Sequence, residues 1–418
     1  MRFKIAYCLY LIVCIFYSVI PLFGAITIRH VFTVLILVLC FFEKGIKLDR
    51  FLKWYLTFLL FYVLSAALTG YLSEVTNKLL GTYLASIVLY MATKVMVKKY
   101  KGGFIVISVL LGLALINSIV AIGQYYDSSI ADTIIEKLHI QINEDKMGFD
   151  ILDLEMQKKY VGGVLGVVRS GFFLSASCVL AFYSNKTRIQ LYNWIVFIVV
   201  FYALFLVQER SGFYIGIACA FLYVVFVTIR KPSTILISIV VFIIAITLFN
   251  KYGSQYVFWE DMRYSNMGFE IDNRDVYAKD ALNYLRYNLM GGYSEYVAKG
   301  GGYPHNCFVN ALLYGGIFGG SILIVMYFVQ IWMVIKVMYN YVVKKSGSTM
   351  LLVFSLAYLT YMVNSLVHNA SFAAGNEMFF LLWAAIVSLL ETKESIPERK
   401  SRIKKLLKRI LLLKTRSI

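Results

Sequence analysis

The run Gly103-Phe104-Ile105-Val106-Ile107-Ser108-Val109-Leu110-Leu111-Gly112-Leu113-Ala114-Leu115-Ile116-Asn117-Ser118-Ile119-Val120-Ala121-Ile122-Gly123 contains no ionisable side chain. At 1.5 Å per residue, a helix of this length reaches about 30 Å, the thickness of a bilayer's hydrocarbon core. Similar runs recur along the whole chain. Hydrophobic residues make up 60% of the 418 residues and charged residues only 15%, and the mean hydropathy is +0.73. A soluble domain cannot hide that much apolar surface, so the composition predicts an all-α polytopic membrane protein.

Hydropathy places about twelve spans, near 5–23, 25–42, 54–72, 79–97, 103–123, 163–183, 189–207, 212–229, 233–249, 306–335, 350–367 and 372–390. The first run has the Arg2/Lys4 flank of a signal peptide, but its length and the bulky Pro21-Leu22-Phe23 at its end predict a retained span. The connections alternate in charge. One set carries Lys44/Lys47/Arg50/Lys53, Lys98/Lys99/Lys101, Lys186/Arg188, Arg230/Lys231, Lys344/Lys345 and the basic tail 391–418. The other contains two long loops, 124–162 and 250–304, which hold most of the acidic residues. Basic residues near span ends mark the cytoplasmic side, so both termini are expected there and both long loops outside. The organisation expected is one transmembrane domain over 1–390 followed by the tail.

The net charge of +18 requires no nucleic-acid partner. Much of it lies in Arg399-Lys400-Ser401-Arg402-Ile403-Lys404-Lys405, which reads either as an amphipathic helix on anionic lipids or as a topology anchor. Six cysteines lie in or beside apolar runs without a CxxC pair, which suggests neither a disulfide framework nor a zinc site. In the second long loop, apolar residues at 276, 277, 281, 284 and 285 have helical spacing, predicting one or two helices across the outer mouth.

The unusual polar residues fall on one side of this topology. Gly300-Gly301-Gly302-Tyr303-Pro304-His305-Asn306 closes the second loop and opens the tenth span. Arg169-Ser170-Gly171 lies about 10 Å below the outer end of the sixth span. Arg210 stands in the turn before the eighth span, Arg274 in the outer loop, and His368-Asn369 before the last span. Arg29 and His30, at the start of the second span, read as structural or interfacial. Arg169 either snorkels to the headgroups or faces a polar cavity. Arg210 reads as a surface charge or a ligand, with Glu209 as its ion-pair partner. The pairs Gly315/Gly319 and Gly316/Gly320 have the spacing of close helix packing.

Arginines in a partly desolvated pocket suit a dianion such as a diphosphate, which guanidinium binds bidentately. A helix start adds free N–H groups and a positive dipole end. His305 can take a proton from an attacking hydroxyl near neutral pH. No acidic pair suggests a metal clamp or other cofactor. Transfer of a glycan from a lipid diphosphate to a sugar hydroxyl fits this set.

These residues resemble a known family. His305-Asn306, nine residues, then Gly316-Ile317-Phe318-Gly319 is similar to the H-[NSQ]-x9-G-x-x-[GTY] signature of O-antigen ligases and Wzy-type polysaccharide polymerases. Arg169-Ser170-Gly171-Phe172-Phe173 resembles the family's R-x-[ST]-G-[LF]-F segment, with Ser175-Ala176-Ser177 where Asn-Pro is usual. Glu209-Arg210-Ser211-Gly212 is similar to S-R-[SG]-G, and Asn273-Arg274 with Met290-Gly291-Gly292 to the R…W…G-x-G stretch of the outer loop, with Tyr277 where tryptophan is usual. The likeness covers about residues 160–390; the first half matches only in hydropathy.

The resemblance implies a GT-C-like, metal-independent, inverting glycosyltransferase without a cofactor at the outer face of a bacterial cytoplasmic membrane. Its donor would be an undecaprenyl-diphosphate-linked oligosaccharide, with membrane lipids and a chain-length regulator protein as further partners. It implies Arg169, Arg210 and Arg274 at the phosphates, His305 as base, and Asn306 either orienting a hydroxyl or capping a helix. The favoured reading is polymerisation of repeat units into O-antigen or capsule. Ligation to a lipopolysaccharide core or another acceptor is the alternative. A lipid-linked glycan transporter or flippase is a further alternative, against which stand the lack of repeats and the charges at span ends.

Overall fold

In the computed structural model the described residues are 2–16, 21–23, 26–43, 48–126, 128–137, 162–183, 187–207, 209–230, 274–302, 304–366 and 372–392. The expected span 233–249, most of both long loops, His368-Asn369 and the basic tail lie outside them. The chain folds into helices α1 (Arg2–Phe16), α2 (Ile28–Phe42), α3 (Arg50–Thr69), α4 (Leu72–Lys78), α5 (Leu84–Lys98), α6 (Gly103–Tyr125) and α7 (Ser129–Lys137). Then follow α8 (Val167–Ala181), α9 (Thr187–Leu206), α10 (Arg210–Arg230), α11 (Arg274–Tyr287), α12 (Tyr293–Ala298), α13 (Cys307–Val342), α14 (Thr349–Ser365) and α15 (Glu377–Glu391). Among the described residues five helical stretches are long and apolar enough to cross a membrane: Arg50–Thr69, Leu72–Lys98, Gly103–Tyr125, Ser211–Arg230 and Cys307–Val342. The protein is an α-helical membrane protein.

The first two predicted spans are shorter than expected. Proline has no N–H for a helix interior. Pro21–Phe23 instead pairs antiparallel with Ile26–Thr27, so α1 and α2 flank a small hairpin. Between α4 and α5 a π-helical turn, Leu79–Tyr83, keeps Leu72–Lys98 continuous. Thr82 of that turn accepts from Arg29 (3.4 Å), whose guanidinium also pairs with Glu377 at 2.7 Å. Arg29 is thus a structural clamp between α2 and α15, as its sequence setting suggested.

Polar groups tie the bundle together where backbone would otherwise be unsatisfied, a strict requirement in lipid. Tyr55 donates to the carbonyl of Phe372 (2.9 Å), Tyr83 to Ala373 (2.6 Å) and Ser86 to Gly375 (2.7 Å), fixing the turn before α15. At the opposite end, Asp49 caps α3 through Leu52 N–H (3.0 Å) and pairs with Lys94, while Lys98 pairs with Glu391. The two ends of the bundle differ in kind. One is latched by these basic and acidic pairs; the other carries Arg29, the start of α15 and the ends of α3 and α14.

The tenth span is not one rod. Gly316 has φ 65° and ψ −172°, and α13 breaks there. A Cβ on Gly320 would lie 2.7 Å from Ala311 O and from Leu312 Cα, and Phe308 packs on Tyr327 and Phe328 with ring centroids 5.3 and 5.7 Å apart. As one residue number rises its contact partner's falls, so the arm 307–315 runs antiparallel to the upper part of 317–342. The groups freed by the break are taken up by the preceding loop: Ile317 N–H donates to Leu289 O and Gly292 N–H to Leu313 O, both at 2.9 Å. Gly315 and Gly319 do serve close packing, against Phe58 and Phe61 of α3. Gly316 and Gly320 instead make the fold-back possible, which corrects their reading as a second packing pair.

Substituting Gly316 by Ala puts a side chain on a left-handed residue and its Cβ 2.5 Å from Met290 C. We expect a loss of about 1–3 kcal/mol, read as a lowered melting temperature in detergent. An unchanged melting temperature would show that the break does not exist.

Candidate functional site

Asn117, fully buried and well inside α6, begins the site. It lies eight residues before Tyr125, about 12 Å along the axis. Its Oδ1 accepts from Val164 N–H (2.8 Å) and its Nδ2 donates to Ser170 Oγ (3.0 Å), while Gly163 N–H donates to Gln124 Oε1 (2.7 Å). Ser170 in turn donates to the carbonyl of Gly162. The chain therefore descends as a glycine-rich loop, 162–166, and α8 starts only at Val167. The sixth span was expected to be helical from 163; the loop takes its place because the Asn117 amide satisfies the non-helical backbone. Arg169 follows in the first turn of α8, exposed, and near enough to Tyr361 of α14 for its charge to act there.

Helices α8 and α10 cross through glycine. A Cβ on Gly212 would lie 2.8 Å from the carbonyl oxygen of Gly171, and one on Gly216 the same distance from Ser175 Oγ. Both helices thus start at the same end and run parallel. Glu209, only 6% exposed, fills the space beside Gly171, and its carboxylate accepts the N–H of Gly212 at the start of α10. The Ser211 hydroxyl lies between Glu209 Oε1 (3.0 Å) and Asn364 Oδ1 (2.8 Å), and one of the two takes its proton. Arg210 is the first residue of α10.

The next residue of α14, Ser365, faces another element. Its Oγ lies 3.1 Å from the hydroxyl of Tyr327, which donates to Met362 O, and the Tyr327 ring packs on Phe308 with centroids 5.3 Å apart. Cys307 opens the short arm of α13. Asn306 caps that arm, its Oδ1 accepting from Phe308 N–H (2.9 Å) and Val309 N–H (3.2 Å). His305 precedes it, half-buried, with φ 41°, a strained value for a residue with a side chain. The last turn of α14 therefore gathers the starts of α8, α10 and α13, carrying Arg169, Arg210 and His305-Asn306.

Arg274 belongs to the neighbouring element. It starts α11, one turn ahead of Tyr277, and a Cβ on Gly302 would lie 2.2 Å from the Tyr277 ring. Tyr296 covers Gly301 in the same way. The glycine run thus passes beneath two tyrosine rings on its way to His305. In α12, Glu295 accepts from Lys299 and from Tyr284 (2.8 Å); these hydrogen bonds, Lys299's first, hold its carboxyl below the ordinary value. The side chains of Arg210 and Arg274 lie outside the described residues.

Sequence reading missed Asn364, Ser365, Tyr361 and Asn117. The one available signal was polar residues at the end or in the middle of otherwise apolar spans. No protein-family model, curated protein or solved structure matches the chain.

Two outcomes follow from this geometry. Removing the Asn306 cap by Asn306→Ala costs about 1 kcal/mol, whereas Asn306→Ser retains both stability and activity if capping is its role; loss of activity in the stable Ser variant would assign it to substrate. Because Glu295 is lowered in the folded state, its stabilisation is complete above the unfolded carboxyl value and is lost as pH falls through the lowered folded value. Proteolysis of the loop 274–302 should therefore accelerate below about pH 4, and Glu295→Gln should remove that pH dependence.

Proposed function

We propose that the protein is a membrane glycosyltransferase that polymerises lipid-diphosphate-linked oligosaccharide repeat units, acting at the outer face of a bacterial cytoplasmic membrane. The observation that carries this reading is the convergence of three helix starts on the last turn of α14, with Arg169, Arg210 and His305-Asn306 upon them. Helix starts present unpaired N–H groups and positive dipole ends, and guanidinium adds fixed charge. Such a setting favours a diphosphate.

The step would run as follows. A sugar hydroxyl of the acceptor attacks the anomeric carbon of the donor while His305 takes the hydroxyl proton. The new glycosidic C–O bond forms as the C–O bond to the diphosphate breaks, and lipid diphosphate leaves with the bonding electron pair. Attack from the face opposite the leaving group inverts the anomeric carbon. Arginine charge stabilises the departing phosphate, most strongly where water is excluded. The full complement of about twelve spans and a GT-C-like arrangement belong to this same proposal.

One observation favours a second reading. Broken helices whose half-helix starts face an anionic group are a feature of transporters, and α13 is broken at Gly316. A lipid-linked glycan transporter is therefore the competing function.

The test uses purified protein in nanodiscs with a lipid-diphosphate-linked repeat unit. Wild type should build a ladder of products, His305→Ala should slow it by about 10²–10⁴-fold, and Arg210→Ala by about 10²-fold or more. A ladder unchanged in both variants would discard the site. Single addition to a different acceptor would make the enzyme a ligase. Translocation without glycosidic bond formation would establish the transporter reading.

A further inference from the structure

Glu209 is an unusual residue to begin a helix. Short polar side chains, Ser, Thr, Asn and Asp, are the ones that normally cap, because their oxygen reaches the N–H groups of the first turn directly. The longer glutamate does this here, accepting from Gly212 N–H, and also extends across to the neighbouring helix. A Cβ on Gly171 would lie 2.6 Å from Glu209 Cβ, 2.8 Å from Cγ and 3.1 Å from Oε2. Gly171 stands two residues after Arg169, and Glu209 directly precedes Arg210. One buried carboxylate therefore sits between the two arginine-bearing helix starts. Through Ser211 it also reaches Asn364 of α14.

Burying a carboxylate is costly unless its surroundings are positive or donate hydrogen bonds. The surroundings here are the starts of two helices, the Gly212 N–H and the Ser211 hydroxyl, and helix-start charge and donated hydrogen bonds favour the anion.

We infer that Glu209 is a positioning residue that joins the helix starts bearing Arg169 and Arg210 and sets their backbone separation, its negative charge held against the positive ends of both helices. The inference rests on the glycan-transfer reading. Glu209 does not touch the reacting atoms; it acts through the two arginines. Its charge, and not merely its shape, is what the site uses.

Charge and shape separate in two substitutions. Glu209→Gln keeps the length and an acceptor oxygen but removes the charge. Glu209→Asp keeps the charge but shortens the reach. The experiment measures donor kinetics and melting temperature for the full-length protein and both variants in nanodiscs, with the lipid-diphosphate-linked repeat unit as donor.

The expected result for Glu209→Gln is a kcat lowered about 10²-fold, the scale of a small misplacement of a catalytic group. Its donor KM should equal or fall below that of wild type, since the site becomes more positive, and its melting temperature should match. Glu209→Asp should retain more kcat than Glu209→Gln. A packing role predicts the reverse order, because Gln fills the space and Asp does not. Gln turnover equal to wild type, or Gln more active than Asp, would overturn the inference while leaving the glycan-transfer reading intact. A wild-type protein that transfers no glycan would overturn both.

Discussion

The hydrogen bonds from Ile317 N–H to Leu289 O and from Gly292 N–H to Leu313 O are the ones on which the candidate site depends. A helix broken in a membrane leaves carbonyl and amide groups that lipid cannot satisfy. Here the loop that precedes the helix supplies both partners, so the break at Gly316 is tolerated and the arm 307–315 folds back. Without the fold-back, Phe308 would not reach Tyr327, whose hydroxyl meets Ser365 of α14. His305 would then lie at the far end of a rod, away from the arginine helices. The same economy appears at Asn117, whose amide stabilises another non-helical stretch and lets α8 start below the mouth of the bundle.

The three helix starts gathered at α14 have a common electrostatic consequence. Each start exposes N–H groups that its own helix cannot pair. The α13 arm uses the Asn306 side chain for two of them, and α10 uses Glu209 for one. The remaining donors, together with Arg169, leave this end of the bundle positive. At the other end three lysines are paired: Lys94 with Asp49, Lys98 with Glu391 and Lys99 with Glu43.

Much of this was legible in the chain, for identifiable reasons. Apolar runs depend on composition alone, and the long apolar helices of the described residues overlap the runs that hydropathy marked, five of them long enough to cross a membrane. The glycine run 300–302 and the arginine segments stood out because polar residues are costly in such surroundings. What could not be read was geometry that depends on a partner distant in sequence. The pair Gly316/Gly320 looks like a packing motif until the dihedral of Gly316 and its contacts with 289–290 are known. Asn364 and Ser365 look like the frayed end of a span until Ser211 and Tyr327 are seen against them.

Glu209 shows why local reading falls short even for a conspicuous residue. Beside Arg210 it reads as half of a surface ion pair, a contact worth little. Its burial and its contact with Gly171, thirty-eight positions earlier, change that meaning. A glycine at 171 then has a cause, because any side chain there would displace the carboxylate. So does a glycine at 212, which lets the two backbones touch and offers its N–H to Glu209. The Arg-Ser-Gly sequence occurs in both segments, and in both the glycine serves this one crossing. The backbones at 169 and 210 are therefore carried on a single packed joint, so the spacing of the two helix starts is a property of the helix crossing and is not set by either loop.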